Sequence, residues 1–71
     1  MEVYKNLSGK SGVRTYEIEP EGILVKFRNG STYRYSYRRA GKKHVEAMKK
    51  LARRGMGLSS YISRHVKDLF D

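Results

Sequence analysis

The chain has 71 residues, with 16 Lys and Arg against 7 Asp and Glu, and 38% of its side chains are apolar. That length suits one small domain and excludes a catalytic cleft between two. With no Cys, a disulfide framework, a cysteine-zinc site and a thiol nucleophile are excluded as well, so the fold must rest on packing.

No run of even eight apolar residues is present, which leaves neither a signal-peptide core nor a membrane span and sets the expectation of a cytoplasmic protein. Residues 1–11, with Ser8, Gly9 and Ser11 clustered, lack a sustained period and are expected to form a flexible lead-in to a single domain over 12–71. From Val13 to Glu19, Tyr16 and Ile18 alternate with Glu17 and Glu19, the period of a half-buried strand. Glu19-Pro20-Glu21-Gly22 then forms a turn with Pro at its second position. Ile23, Val25 and Phe27 alternate with Lys26 and Arg28, Asn29-Gly30 breaks the run, and Tyr33, Tyr35 and Tyr37 alternate with Arg34, Ser36 and Arg38. This is a β-hairpin.

Two registers compete in that hairpin, and a shift of one residue turns every side chain of the second strand to the other face. A two-residue Asn29-Gly30 loop pairs Lys26 with Tyr33 and leaves the tyrosines among cations. A three-residue loop, Arg28-Asn29-Gly30 with Gly30 left-handed, pairs Val25 with Tyr33 and Ile23 with Tyr35. The second is preferred, because so short a chain can hardly spare two large aromatics from its core. After Tyr37 the period becomes helical, with Val45, Met48, Leu51 and Ala52 on one stripe, Lys43, Lys50 and Arg54 opposite, and Gly55 as a stop. A second helix is expected to start near Ser59 or Ser60 and run to Phe70, with Ile62, Val66, Leu69 and Phe70 buried. The expected fold is a two-layer α+β domain, a three-stranded antiparallel meander followed by two helices (βββαα).

The charge is concentrated. Residues 26–54 hold eleven cations, Lys26, Arg28, Arg34, Arg38, Arg39, Lys42, Lys43, Lys49, Lys50, Arg53 and Arg54, with Glu46 the only acid. Cations presented together bind phosphates by releasing condensed counterions, independently of base sequence. The expected activity is therefore non-sequence-specific nucleic-acid binding. In this reading Arg38, Arg39, Lys42, Lys43, Lys49, Lys50, Arg53 and Arg54 hold phosphates, and Lys26 and Arg34 widen the patch over the exposed sheet face. Tyr37, at the strand end between Ser36 and Arg38, is the candidate for base stacking. The alternatives are a solvated basic surface that keeps a small domain soluble, or an adaptor that docks on an acidic protein. No membrane partner is expected, and the oligomeric state is expected to be monomer or weak homodimer.

The stretch Ile23 to Tyr35, with Phe27, Asn29-Gly30 and Tyr33-Arg34-Tyr35, followed by a helix and by Ser60-Tyr61-Ile62-Ser63-Arg64-His65-Val66, resembles the KTSC domain. The likeness spans about residues 11–70. That family occurs as a short single domain and at the C-terminus of some lysyl-tRNA synthetases; the resemblance implies a role in RNA binding, hence RNA rather than DNA as the expected partner, and brings no catalytic residues.

Motifs that could suggest chemistry are weaker. His65 has no nucleophile and orienting group arranged around it, with Ser60, Ser63 and Asp68 its only polar company nearby in sequence, so it reads as a rim histidine. His44-Val45-Glu46 resembles part of a zinc deaminase signature, but no Cys completes the metal site. Gly9-Lys10-Ser11 resembles the end of a phosphate loop, yet Tyr4 stands where the first glycine is needed. Neither an enzyme activity nor a cofactor is expected.

Overall fold

A computed structural model describes all 71 residues as a four-stranded antiparallel sheet covered on one face by helices. The strands β1 (Glu2–Val3), β2 (Val13–Glu19), β3 (Gly22–Phe27) and β4 (Thr32–Ser36) lie side by side in chain order. Helix α1 (Lys42–Arg54) packs across β3 and β4, and α2 (Leu58–Tyr61) continues into a wider π-helical stretch over Ile62–Val66 that closes the helical layer. The expected α+β class holds. One strand more than expected is present, and the last helix is shorter.

The hairpin takes the three-residue loop. Val25 faces Tyr33 and Ile23 faces Tyr35 across β3 and β4, while Gly30 sits at φ 91°, where a residue without a Cβ is unstrained. Ile23, Val25 and Tyr35 are consequently buried under α1, and Leu24, Lys26 and Arg34 project from the opposite, open face. In β2 the register slips between Val13 and Thr15, so that Arg14 is an extra residue against β3. This bulge is what lets Val13, Tyr16 and Ile18 all turn inward, since strict alternation would send Val13 and Tyr16 to opposite faces.

The first eleven residues are not a loose lead-in. Glu2 and Val3 pair with Tyr16 and Thr15, and the Tyr4 ring is buried, its hydroxyl accepting the Leu58 N–H at 3.2 Å. The Leu7 amide donates to the Gly55 carbonyl, the Ser11 amide to Asn6 Oδ1, and the Val13 amide to Ser11 Oγ. A core this small gains from each large ring it can enclose, and Tyr4 joins it, tied to Arg14 through its amide and to Leu58 through its hydroxyl.

The helical stripe of α1 is Val45, Met48 and Ala52, as its period predicts, whereas Leu51 is half-buried beside the following turn. Gly55 ends the helix in the left-handed conformation, its amide donating to the Leu51 carbonyl. Ile62 and Val66 are buried, but the helix does not reach Phe70. Instead the chain turns after Val66, the Asp71 amide donates to the Arg34 carbonyl, Asp71 Oδ1 accepts the Ser36 hydroxyl, and Phe70 packs on Tyr33 at 4.7 Å between ring centroids. The open edge of β4 is thereby partly covered, and the other edge strand, β1, is only two residues long.

Candidate nucleic-acid interface

The expected phosphate-binding residues fall into three groups. Arg38, Arg39, Lys42, Lys43, Lys50, Arg53 and Arg54 are exposed. Arg38 and Arg39 lie in the turn between β4 and α1, held by the Arg39 amide donating to Ser36 Oγ and by the Ala40 amide donating to the Ser36 carbonyl. Lys43, Lys50 and Arg54 follow the outward line of α1, opposite Val45, Met48 and Ala52. None of these seven cations is within ion-pair distance of an acid.

The start of α1 breaks a local rule. Its N-cap is Gly41, no side chain caps it, and its first turn carries Lys42 and Lys43 with no acid. Cations at a helix N-terminus oppose the helix dipole, whereas Arg53 and Arg54 in the last turn complement it. The C-terminal pair has a structural explanation; of the N-terminal pair, Lys42 lies 5.8 Å from the centroid of the Tyr37 ring, whose hydroxyl is held by Glu46, while Lys43 makes no ion pair. Uncapped first-turn amides beside Arg38, Arg39, Lys42 and Lys43 give this corner the donors and charge that suit an anion.

Lys49 belongs elsewhere. It is 6% exposed, its ammonium lies 3.0 Å from Glu46 Oε2 and it donates to the Pro20 carbonyl at 3.3 Å. It pins α1 to the β2–β3 turn rather than facing solvent, so it is withdrawn from the phosphate-binding set. The helical wheel sets it at the edge of the buried stripe, and the sequence shows no sign that Pro20 would come there.

Tyr37 is likewise committed. Its hydroxyl donates to Glu46 Oε2 at 2.5 Å, and its ring has the Lys49 and Lys42 ammonium groups 5.4 and 5.8 Å from its centroid. The Glu46 carboxylate raises the Tyr37 pKa, and the Tyr37 hydroxyl, followed by Lys49, lowers that of Glu46. The hydroxyl is thus engaged by Glu46 and two ammonium groups lie beside the ring, so Tyr37 is tied into the contact between the strand end and α1 rather than standing free for a base. The one acid of the basic block is therefore turned to structural use.

Lys26 and Arg34 do not widen the patch. The register that turns Tyr33 and Tyr35 inward sends them to the open face, away from α1. There Arg34 grips Glu19 with two contacts, Nε to Oε1 at 3.0 Å and a terminal nitrogen to Oε2 at 3.1 Å, and Glu17 stands in the same cross-strand row. The open face is balanced in charge. Of the other tyrosines, Tyr35 is buried, with its pKa pushed up to about 12 by burial and then by Tyr33. Tyr33 is half-buried between Phe27 and Phe70.

A cluster missed by the sequence lies on the other flank of α1. His44 Nδ1 and the Tyr61 hydroxyl share a hydrogen bond of 2.7 Å, and the exposed His65 ring lies 4.5 Å from Tyr61 and 5.7 Å from His44 between centroids. Its only sequence signal is the four-residue spacing of Tyr61 and His65. His44 joins from a different helix. The chain matches no protein-family model, no curated protein and no solved structure.

Proposed function

We propose that this protein binds nucleic acid, RNA in preference to DNA, through phosphate contacts made by Arg38, Arg39, Lys42, Lys43, Lys50, Arg53 and Arg54, without strong base preference. The carrying observation is the start of α1, where four exposed cations, none of them in an ion pair, gather at uncapped first-turn amides with no acid in that turn. A fold so small gains nothing from opposing its own helix dipole, and a bound phosphate reverses the sign of that interaction. The resemblance to the KTSC domain supports the choice of RNA.

The test is a fluorescence-anisotropy titration of labelled single-stranded RNA, duplex RNA and duplex DNA at low and moderate salt, with an acidic peptide as control. The expected result is saturable nucleic-acid binding that weakens steeply with salt and is lost when Lys42 and Lys43 are both replaced by Glu. Tight binding of the acidic peptide with neither nucleic acid bound would replace this reading with a protein adaptor.

A further inference from the structure

The three rings at the junction of α1 and the last helix form a step. His44 is fixed in orientation by the Tyr61 hydroxyl, Tyr61 is half-buried, and His65 lies outermost, inclined by 28° to His44 and 40° to Tyr61. His65 makes no hydrogen bond and no ion pair; ring contacts alone define its environment. An exposed imidazole held against two other rings presents a flat, preorganised surface at little further cost in side-chain entropy.

Cations border the step on both elements. Lys43 precedes His44 on α1, and Arg64 precedes His65 in the π-helical stretch, both exposed. A flat aromatic surface between cations suits an unpaired nucleotide, whose base stacks while its phosphates are neutralised on either side. A base paired within a duplex is stacked above and below and cannot offer its face.

We infer that His44, Tyr61 and His65 form a stacking platform for one unpaired base, which makes the protein a reader of single strands over duplexes. This rests on the phosphate-binding reading and adds a selectivity to it. Tyr37, the residue in the expected stacking position, is tied to Glu46 through its hydroxyl, with Lys42 and Lys49 beside its ring. At the step an exposed ring and exposed, unpaired cations meet.

The experiment compares a labelled single-stranded oligouridylate of about twelve nucleotides with an RNA duplex of the same length, on the intact chain. His65→Ala is expected to weaken single-strand binding roughly tenfold and leave duplex binding unchanged. His65→Phe, which keeps a ring without imidazole nitrogens, is expected to restore single-strand affinity. In the wild-type protein, the His65 ring-proton resonances are expected to move upfield on adding the oligouridylate, a shift that a merely structural histidine would not show. Equal losses for both nucleic acids on His65→Ala, or no loss while the Lys42 and Lys43 charge reversal still abolishes binding, would overturn the platform and leave the phosphate reading standing. No binding of either nucleic acid by the wild type would remove both.

Discussion

Lys49 and Lys50 are neighbours in sequence with opposite fates, and the difference is one step of 100° around a helix. Lys49 spends its ammonium on Glu46 and the Pro20 carbonyl, while Lys50 points to solvent. Replacing Lys50 by Ala is expected to lower the salt-dependence slope of nucleic-acid binding by about one, whereas Lys49→Met is expected to leave that slope unchanged. Anisotropy titrations over a salt series check both. The same cluster sets a pH response. The Glu46 pKa is held below its ordinary 4.5 by Tyr37 and then by Lys49, so the stability it adds is in place above that value and is lost as pH falls through the folded-state pKa. Tyr16, Tyr35 and Tyr37 shift the other way, raised above 10.0, with Tyr35 at about 12. Their contribution is complete below pH 10 and fades as pH climbs toward 12. Thermal melts across pH are therefore expected to show a plateau at neutral pH with a fall at each end, and removal of the acid-side fall by Glu46→Gln would confirm its source.

The elements lean on two contacts between the first residues and the helical layer. Gly55 closes α1 at φ 83°, and a Cβ placed there would lie 2.6 Å from the Lys5 Cβ. Strain and collision act together, so Gly55→Ala is expected to destabilise the fold by roughly 1–3 kcal/mol, read from chemical denaturation. Tyr4 supplies the second contact. Burial of its ring makes Tyr4→Ala expected to cost about 3–5 kcal/mol, a large share of the total stability of about 4–10 kcal/mol expected for a domain of this size. Tyr4→Phe keeps the ring and loses only the acceptor for the Leu58 amide, for about 1 kcal/mol. A denaturation midpoint unmoved by Tyr4→Ala would show that the first strand and its following loop are dispensable to the core.

Across the whole molecule the charge is divided by face. The outward line of α1 and the turn before it carry unpaired cations, while Glu17, Glu19 and Glu21 gather around the β2–β3 turn, with Arg34 paired to Glu19. On the proposed function, such a separation orients the protein toward its polyanion before contact. If about six phosphates are neutralised, affinity is expected to fall roughly a thousandfold between 50 and 200 mM salt. A loss of less than tenfold over that range, measured by anisotropy, would mean that the basic face is merely solvated.

Composition and short-range periodicity already determined a good part of this protein. The alternation in β3 and β4, the inward turn of Tyr35, the stripe of Val45, Met48 and Ala52, the stop at Gly55 and the crowding of positive charge after Lys26 all depend on neighbours a few residues apart, where backbone geometry dictates which side chains share a face. The tertiary structure decided the rest: the pairing of Glu2 with Tyr16, the bulge at Arg14, the burial of Lys49, the grip of Arg34 on Glu19 and the meeting of His44 with Tyr61. Each of these joins residues distant in the chain or depends on which element covers a position, and packing of the whole core selects among partners that local patterns leave equivalent.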